Sequence, residues 1–417
     1  MSRSDFIPQW QLRAAFSSAM SEMYRAEVPA YGTLIDIVEH SNATTAGTSA
    51  AFRKLLDHDG GLERISAERH GAIRLGTAQE LSWMARLFAV FGMYPVGYYD
   101  LGPSGIPVHS TAFRPITAEE LNKNPFRVFT SLLRLDAIED EALRQRAQEI
   151  LDKRQIFSQT LRAKIIAAEA GGGLTQQEMP HFITEAVHVF RWHAQALVDQ
   201  PTYHALHDAH RLIADVVSFK GPHINHLTPR ALDIDAVQGA MQARDLPAKA
   251  VIEGPPRRNC PILLRQTSFH ALNEPIEFTD GAHGGHTARF GEIEQRGIAL
   301  TPKGRALYDS CLAEARAAQG DYRANLADAF ARFPDTWSAV LDEGLGYFYN
   351  NDVTRPVIYE DFLPVSAAGI FKSNLGQGES PESASMGSQS VFESALGRSV
   401  LDPFALYAAA AAVNDSE

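Results

Sequence analysis

The sequence lacks most of the features that assign a chain to a protein class at first reading. Only two of its 417 residues are cysteines, Cys260 and Cys311, so it contains neither a disulfide framework nor a CxxC metal site. Its longest apolar run, ALYAAAAAV, is too short to cross a membrane, and the first residues do not form a secretory signal. We therefore expect a soluble globular protein in the reducing cytoplasm.

Several common nucleotide-binding and catalytic motifs are also missing. There is no GxGxxG opening a helix, no GxxxxGK[ST], no GxSxG and no HExxH, so nucleotide-binding and serine hydrolase functions lose support. The net charge of -12 disfavours nucleic acid or an anionic membrane as the main partner. A small anionic substrate remains possible, since a local arginine can hold one inside an acidic protein.

Hydrophobic periodicity predicts an α+β protein with several parts. We predict an N-terminal helical cover over 1–60, a β-α-β-β-β module over 61–136 and a helical insertion over 137–217. A second β-α-β-β-β module is predicted for 218–303, followed by a C-terminal helix and loops that cover the site over 304–417. The repeated order of elements indicates an internal duplication, although the two copies share few identical residues.

The chain has an unusual density of metal-ligating and anion-pairing side chains in 263–305, between segments of β character. Two earlier segments, 68–75 and 219–228, are its predicted partners. We therefore expect three strands to meet around one divalent metal. The side chains of the long segment that support this hypothesis are His270, His283, His286, Glu292, Glu294, Arg265, Arg289 and Arg296.

Strand alternation sorts some of these candidates but leaves others open. His70 and Arg74 share one face of a strand, so a metal-bound acid held at His70 could reach the guanidinium of Arg74. Taken alone, a strand-end histidine and an ordinary surface arginine would be the commoner explanation.

Two further choices remain open at this point. His223 and His226 lie on opposite faces of a regular strand, so at most one joins an inward site, and alternation does not say which. Glu292 and Glu294 share a face, and a carboxylate inside a β lobe is costly unless it is paired or metal-bound. Two histidines and one carboxylate would form the donor set of non-haem iron(II) oxygenases.

The helical insertion contains histidines that we interpret as ordinary helix side chains. His204, His207 and His210 are three residues apart, so they drift around a helix and do not converge on one point. Glu185 and His188 resemble half of a di-iron helix signature, but no second copy exists.

A Gly/Ser-rich stretch, 373–390, follows the C-terminal aromatic loops. Its composition and length predict a mobile flap or a loop that a ligand orders.

Three motifs carry a resemblance to a known family. ERHGAIR, GPHINHLT and HTARFGEIEQRGIALTPKGR, with VLDPFALY near the end, resemble the bacterial 2-oxoadipate dioxygenase/decarboxylase family (hydroxyglutarate synthase), related to the vicinal oxygen chelate superfamily. The resemblance spans about 68–407. It implies paired β-α-β-β-β modules that form a curved sheet around a metal, in agreement with the duplication.

The resemblance implies an Fe(II)-dependent enzyme that converts 2-oxoadipate and O2 to 2-hydroxyglutarate and CO2 in lysine catabolism. The metal ligands that it implies are His70, His226 and Glu294, which with Arg74 form the catalytic set. Because the substrate supplies its own 2-oxo acid, no separate 2-oxoglutarate is required.

The resemblance also implies residues that bind substrate. Arg74 would bind a carboxylate of 2-oxoadipate, with Arg265 and Arg289 as alternatives for the distal carboxylate. Ser399 and Val400 would also contact the substrate.

Two other functions compete with the oxygenase. A metal-dependent isomerase or lyase of the vicinal oxygen chelate type would use Mn, Zn or Ni without O2, with one glutamate as base. A catalytically silent protein would bind a dicarboxylate without converting it.

Overall fold

The computed structural model describes residues 6–48, 60–363 and 386–412. Among the described residues, three helices precede the first sheet: α1 (Gln9–Glu27), α2 (Pro29–Gly47) and α3 (Gly61–Ala67). The apolar face of α1 carries Leu12, Phe16 and Met20, which are buried in the same core cluster as residues of the first sheet. This part of the chain thus covers the sheet, with residues 49–59 of the predicted N-terminal cover lying outside the described ranges.

The first β-rich part has the strand and helix order that hydrophobic patterning predicts. Its elements are β1 (Arg69–Leu75), α4 (Ala78–Val90), β2 (Tyr94–Asp100), β3 (Val108–Arg114), α5 (Ala118–Lys123) and β4 (Arg127–Leu133). The short helix α5 occupies the loop predicted between the last two strands.

A capping box starts α4 directly after β1. The Thr77 hydroxyl accepts a hydrogen bond from the Glu80 backbone N–H at 3.1 Å, and the Glu80 carboxylate accepts one from Gly76 N–H at 2.8 Å. The box satisfies two backbone donors at the turn. It thereby fixes the angle at which the chain leaves β1.

The helical insertion follows as five helices within the described residues. They are α6 (Glu141–Lys153), α7 (Gln159–Gly171), α8 (Met179–His188), α9 (Gln200–Ala209) and α10 (Arg211–Val217). Apolar residues of α9 and α10 share a buried cluster with Ala72 of β1. The insertion therefore packs on one face of the first sheet.

The second β-rich part departs from the predicted module. Its elements are β5 (Leu227–Pro229), α11 (Ile234–Ala243), β6 (Leu264–Ser268), β7 (Asn273–Glu277), β8 (His283–Thr287) and β9 (Glu292–Arg296). The segment 248–256, which lies inside the predicted module, does not form a strand: it makes only isolated bridges from Ala248 and Glu253 to the chain around β6. It ends in two prolines, which cannot donate to a ladder.

The sheet topology brings β1, β5 and β9 side by side. A five-stranded sheet has the order β2-β3-β4-β1-β5, with β1 parallel to β4 and antiparallel to β5. β6 and β9 form an antiparallel pair, and β7 and β8 form a hairpin. A parallel bridge between Arg230 and Glu294 joins the end of β5 to β9. The three segments expected to meet are therefore neighbours.

Strand β1 is covered on both faces. Ile73 and Leu75 belong to one apolar core cluster, and Ala72 belongs to the other. Alternation along the strand puts His70 and Arg74 on the side of Ala72. These two polar side chains thus point into the interior between the sheet and the parts that cover it.

The C-terminal part is helical and partly outside the described ranges. The segment that follows residue 304, expected to contain one helix, forms two, because Gly320 adopts φ +103° and Asp321 caps a new start. Of the predicted flap, residues 373–385 lie outside the described residues and 386–390 begin a helix. The helices are α12 (Pro302–Ala317), α13 (Tyr322–Phe330), α14 (Trp337–Asp342), α15 (Met386–Leu396) and α16 (Pro403–Ala411).

Short 3₁₀ helices lie at Gly102–Ser104, Leu135–Ala137 and Tyr349–Asn351. Across the described ranges, no helix combines the length and the apolarity that a membrane crossing would require.

Candidate metal centre

Three buried side chains from three segments converge at one point. His70 lies on β1, His226 directly precedes β5, and Glu292 begins β9. One nitrogen or oxygen from each side chain lies within 4.8 Å of the other two. We call these residues the Glu292 triad. They are the types that bind divalent transition metals.

A hydroxyl, an amide and a histidine ring surround the Glu292 carboxylate. Its Oε1 accepts hydrogen bonds from the Thr228 hydroxyl at 3.1 Å and from Gln266 Nε2 at 3.0 Å, and lies 3.0 Å from His70 Nε2. Its Oε2 is buried and has no hydrogen-bond partner among residues 6–48, 60–363 and 386–412. A buried carboxylate oxygen without a partner is costly, so a cation fits this position.

Thr228 also fixes the tautomer of His226. The Thr228 hydroxyl donates its proton to Glu292, so its oxygen accepts from His226 Nδ1 at 2.9 Å. The Nε2 lone pair of His226 is then available to a metal. Burial lowers the pKa of His226 to about 4, which keeps the ring neutral near pH 7.

Glu294, the carboxylate that the resemblance assigned to the metal, lies beside the triad and has other partners. Arg296 Nε and Nη2 donate to its two oxygens at 2.8 and 2.9 Å, and His70 Nδ1 lies 3.0 Å from Oε2. Burial opposes ionisation, but the charges of Arg296 and His70 outweigh it and hold the pKa of Glu294 at about 2. Both glutamates thus approach His70: Glu292 lies on the Nε2 side of the ring, and Glu294, the predicted ligand, lies on the Nδ1 side.

The two carboxylates differ in their arginine contacts, because Arg296 donates to both oxygens of Glu294. The bidentate contact leaves one lone pair on each oxygen but offsets the negative charge that would attract a cation. A carboxylate that orients the second nitrogen of a metal-binding histidine is, in contrast, a common supporting group. Glu294 fits that supporting position behind His70.

A buried ion network extends from Arg296 away from the triad. Glu68 Oε1 lies 2.9 Å from Arg127 Nη2, and Glu68 Oε2 lies 3.1 Å from Arg230 Nη1. Neighbouring arginines hold the pKa of Glu68 below its usual range even though burial opposes ionisation. Sequence reasoning missed this network, although an arginine inside the apolar segment FRVFTSLL was a signal.

A second group of the same residue types lies further along the same side of β1. One ligand atom each from Asp215, His223 and His286 lies within 4.8 Å of the others, and all three residues are buried. We call these residues the Asp215 triad. Arg74 Nη1 donates to Asp215 Oδ2 at 2.5 Å, so this carboxylate, unlike that of Glu292, carries a cation.

The other oxygen of Asp215 faces the two histidines. His286 Nε2 lies 2.8 Å from Oδ1, and His223 Nε2 lies 3.0 Å from the same atom. The charges of Arg74 and His223 hold the pKa of Asp215 well below its usual range against the effect of burial. The Tyr203 hydroxyl is 2.8 Å from His286 Nδ1.

Two of these residues, Asp215 and Tyr203, come from the helical insertion, which the sequence analysis treated as structural. A lone aspartate in the apolar run LIADVV was the available signal. The insertion histidines His204, His207 and His210 lie outside both triads.

Ser399 and Val400, predicted to contact substrate, lie in the chain beside strand β2. They follow α15, and the next residue, Leu401, forms a bridge with Val96 on β2. Strand β2 is the sheet edge, separated from β1 by β3 and β4. The structure thus places these two residues at the opposite side of the sheet from β5.

The two alternative arginines are both held by acidic partners. Arg265 donates to Asp235 at 2.6 and 3.1 Å, and Arg289 Nε donates to Glu274 at 2.8 Å. Neither shares a contact with the Glu292 triad. Arg74 also has an acidic partner, Asp215, and differs from these two arginines in lying on the same strand as His70.

Comparison with known proteins gives a consistent result over almost the whole chain. The family model described as 2-oxoadipate dioxygenase/decarboxylase matches residues 16–374. The chain is similar to the proteins of that name from Pseudomonas putida, at 51% identity over 98% of this chain and 96% of the relative, and from Escherichia coli K12, at 50% over 95% of each.

A solved structure is similarly close. The crystal structure of hydroxyglutarate synthase from Pseudomonas putida in complex with 2-oxoadipate superposes with a TM-score of 0.90 at 49% identity. The match covers 97% of this chain and 96% of that one.

Proposed function

Because the chain belongs to the 2-oxoadipate dioxygenase/decarboxylase family, we propose that it is an enzyme that converts 2-oxoadipate and O2 to 2-hydroxyglutarate and CO2. The observation that carries the proposal is the Glu292 triad, which presents two imidazoles and a carboxylate with one buried oxygen lacking a hydrogen-bond partner in the described ranges. This donor set suits Fe(II). In this proposal His70, His226 and Glu292 hold the iron.

His70, His226 and Glu292 would hold Fe(II), which would supply a chelation site for the 2-oxo acid and a site for O2 activation. The protein's part is to prepare its ligands. Glu294 orients His70 through Nδ1, and Thr228 orients His226 through Nδ1, so each ring keeps Nε2 for the metal. The buried surroundings exclude bulk water from the reacting groups.

Arg74 is the proposed contact for the distal carboxylate of 2-oxoadipate. It shares a strand face with His70 and ends in the buried Asp215 triad, away from the metal ligands. A guanidinium at a fixed distance from the metal holds the substrate chain in one position. That position determines which methylene is hydroxylated.

We also propose domain boundaries, a cellular compartment and a metabolic pathway. We assign 61–136 and 218–303 to two modules of vicinal oxygen chelate type, covered by 1–60 and 304–417 and separated by the insertion 137–217. The two buried free cysteines suit a cytoplasmic enzyme. Its partners are then 2-oxoadipate and O2, without nucleic acid or membrane, and its pathway is lysine catabolism.

The test is anaerobic loading of the full chain with Fe(II), followed by addition of 2-oxoadipate and O2. We expect O2 uptake, CO2 release and 2-hydroxyglutarate formation in equal amounts, and no turnover by the zinc-loaded control. Turnover without O2 would instead support a metal-dependent isomerase or lyase. Binding without turnover would support a silent dicarboxylate-binding protein.

A further inference from the structure

We propose that Asp215 and His223 complete the substrate-carboxylate site around Arg74. Asp215 is a positioning residue that holds the guanidinium, and His223 donates a second N–H to the same substrate carboxylate. The inference rests on the proposed function, since it concerns the distal end of 2-oxoadipate.

Arg74 has a buried carboxylate partner, Asp215. Arg74 Nη1 donates to Asp215 Oδ2 at 2.5 Å, and both side chains are only about 5% exposed. A buried guanidinium is stable only when a carboxylate accompanies it. Asp215 therefore keeps Arg74 folded inward and in one orientation before any substrate arrives.

The two histidines of the Asp215 triad differ in their hydrogen-bond partners. His286 has partners at both ring nitrogens: Asp215 at Nε2 and Tyr203 at Nδ1, each at 2.8 Å. His223 Nε2 lies 3.0 Å from Asp215 Oδ1, but both of its ring nitrogens are buried with no hydrogen-bond partner of good geometry in the described ranges, and Nδ1 has no charged neighbour there either. Buried ring nitrogens rarely stay unpaired, so His223 Nδ1 points to a missing ligand.

The charges of the site balance once a substrate carboxylate is bound. His223 can bind Asp215 and a ligand carboxylate together only as an imidazolium, with one N–H for each. Arg74 and His223 then carry two positive charges, and Asp215 and the substrate carboxylate carry two negative charges. A buried set with equal numbers of positive and negative charges leaves no charge uncompensated. Without His223, one guanidinium would face two carboxylates.

The Asp215 triad could also be read as a second metal site, because its residue types match those of the Glu292 triad. Two contacts argue against a cation. The Arg74 guanidinium on Asp215 Oδ2 would repel it, and His286 Nε2 already donates to Asp215 Oδ1. The carboxylate site therefore explains more of the geometry.

The test compares two ligands under anaerobic conditions, where the iron-loaded full chain binds without turnover. 2-Oxoadipate carries the distal carboxylate, and 2-oxohexanoate replaces it with a methyl group. His223→Gln is the primary variant, because glutamine keeps a donor for Asp215 and lacks one at the Nδ1 position. Its dissociation constant for 2-oxoadipate, measured by calorimetry, should rise about 10- to 100-fold, the value of a hydrogen bond to a charged group.

The same variant should change 2-oxohexanoate binding less than about threefold, since only the distal contact is lost. Asp215→Asn should follow the same pattern. Asp208→Asn and His204→Gln, exposed positions on α9, are the matched controls. Equal losses for the two ligands in His223→Gln would overturn the proposal, because a purely structural role does not distinguish them.

Two further outcomes are distinct. Metal analysis should give one ion per chain in both wild type and Asp215→Asn; two ions that fall to one would replace the carboxylate site with a metal site and overturn the proposal. A selective loss of 2-oxoadipate binding in His223→Gln, together with wild-type protein that does not consume O2, would support this site and contradict the proposed reaction.

Discussion

The Glu292 triad and the Asp215 triad are built from the same residue types, two histidines and one carboxylate, and both are buried on one side of β1. They differ in what reaches the carboxylate. Glu292 accepts from a hydroxyl and an amide and keeps one oxygen without a hydrogen-bond partner in the described ranges, whereas Asp215 accepts from a guanidinium. The neighbouring charge, and not the residue types, separates a candidate metal site from a charge-balanced anion site.

Strand β9 repeats this contrast within three residues. Glu292 and Glu294 share a face and both approach His70, yet only Glu294 is held by the bidentate guanidinium of Arg296. The former is therefore suited to bind a metal, and the latter to orient a ligand.

The largest expected effect comes from a matched pair of substitutions on β9. Glu292→Gln should abolish iron retention and reduce turnover to background, because a neutral amide cannot replace the anionic ligand. Glu294→Gln should keep measurable turnover and lose about 10- to 100-fold in iron affinity, the usual cost of removing a supporting carboxylate. Iron content after desalting and O2 uptake measure the two effects.

Melting temperatures of both variants control for unfolding, since each glutamate is buried. If Glu294→Gln lost all iron while Glu292→Gln retained it, Glu294 would be the metal ligand, as the sequence resemblance implied. The proposed difference between Glu292 and Glu294 would then be wrong.

The sequence could predict how the site is assembled but not this last distinction. Alternation and motif resemblance were sufficient to bring β1, β5 and β9 together and to select His70. They could not separate Glu292 from Glu294, because residues two apart on a strand share a face. The separation depends on where the Arg296 side chain folds back, which is a tertiary property.

The fold shows a similar limit. Four strands and a helix of the first module follow from hydrophobic patterning, since both faces of β1 are buried by apolar neighbours. The 248–256 segment is apolar and β-branched but pairs only at isolated bridges. Asp215 was missed because its contact with Arg74 spans 141 residues, beyond any local pattern.

The next largest effect is expected at Arg74, whose guanidinium pairs with Asp215. Arg74→Ala should raise the KM for 2-oxoadipate by about 10- to 100-fold with a smaller change in kcat, because a charge-assisted contact to the distal carboxylate is lost. Arg74→Lys should recover part of the loss, since it keeps the charge but not the fork geometry. Steady-state O2 uptake measures both constants. An unchanged profile would move the carboxylate role to Arg265 or Arg289.

A buried histidine that forms no salt bridge within the described residues sharpens the comparison. His109 on β3 has no salt-bridge partner within the described residues, and burial lowers its pKa to about 4. Its folded pKa lies below that of the unfolded chain, so its contribution to stability is present above about pH 6.5 and is lost as the pH falls towards 4.

From pH 7 to pH 5.5, wild type should therefore lose about 1 kcal/mol of unfolding free energy that His109→Gln does not lose. Urea unfolding of the two proteins at both pH values measures the difference. Equal losses of stability in the two proteins would mean that burial does not lower the pKa of His109.

The smallest effect is expected behind the Asp215 triad. Tyr203→Phe removes the hydroxyl 2.8 Å from His286 Nδ1 and leaves the contacts of Arg74 and His223 with Asp215 in place. Stability should fall by about 1 kcal/mol or less, and the KM for 2-oxoadipate should change less than about threefold. Thermal melting and steady-state kinetics measure both. A KM increase as large as that of Arg74→Ala would show that His286 acts on the substrate carboxylate, and the distinction between the two histidines of the triad would then fail.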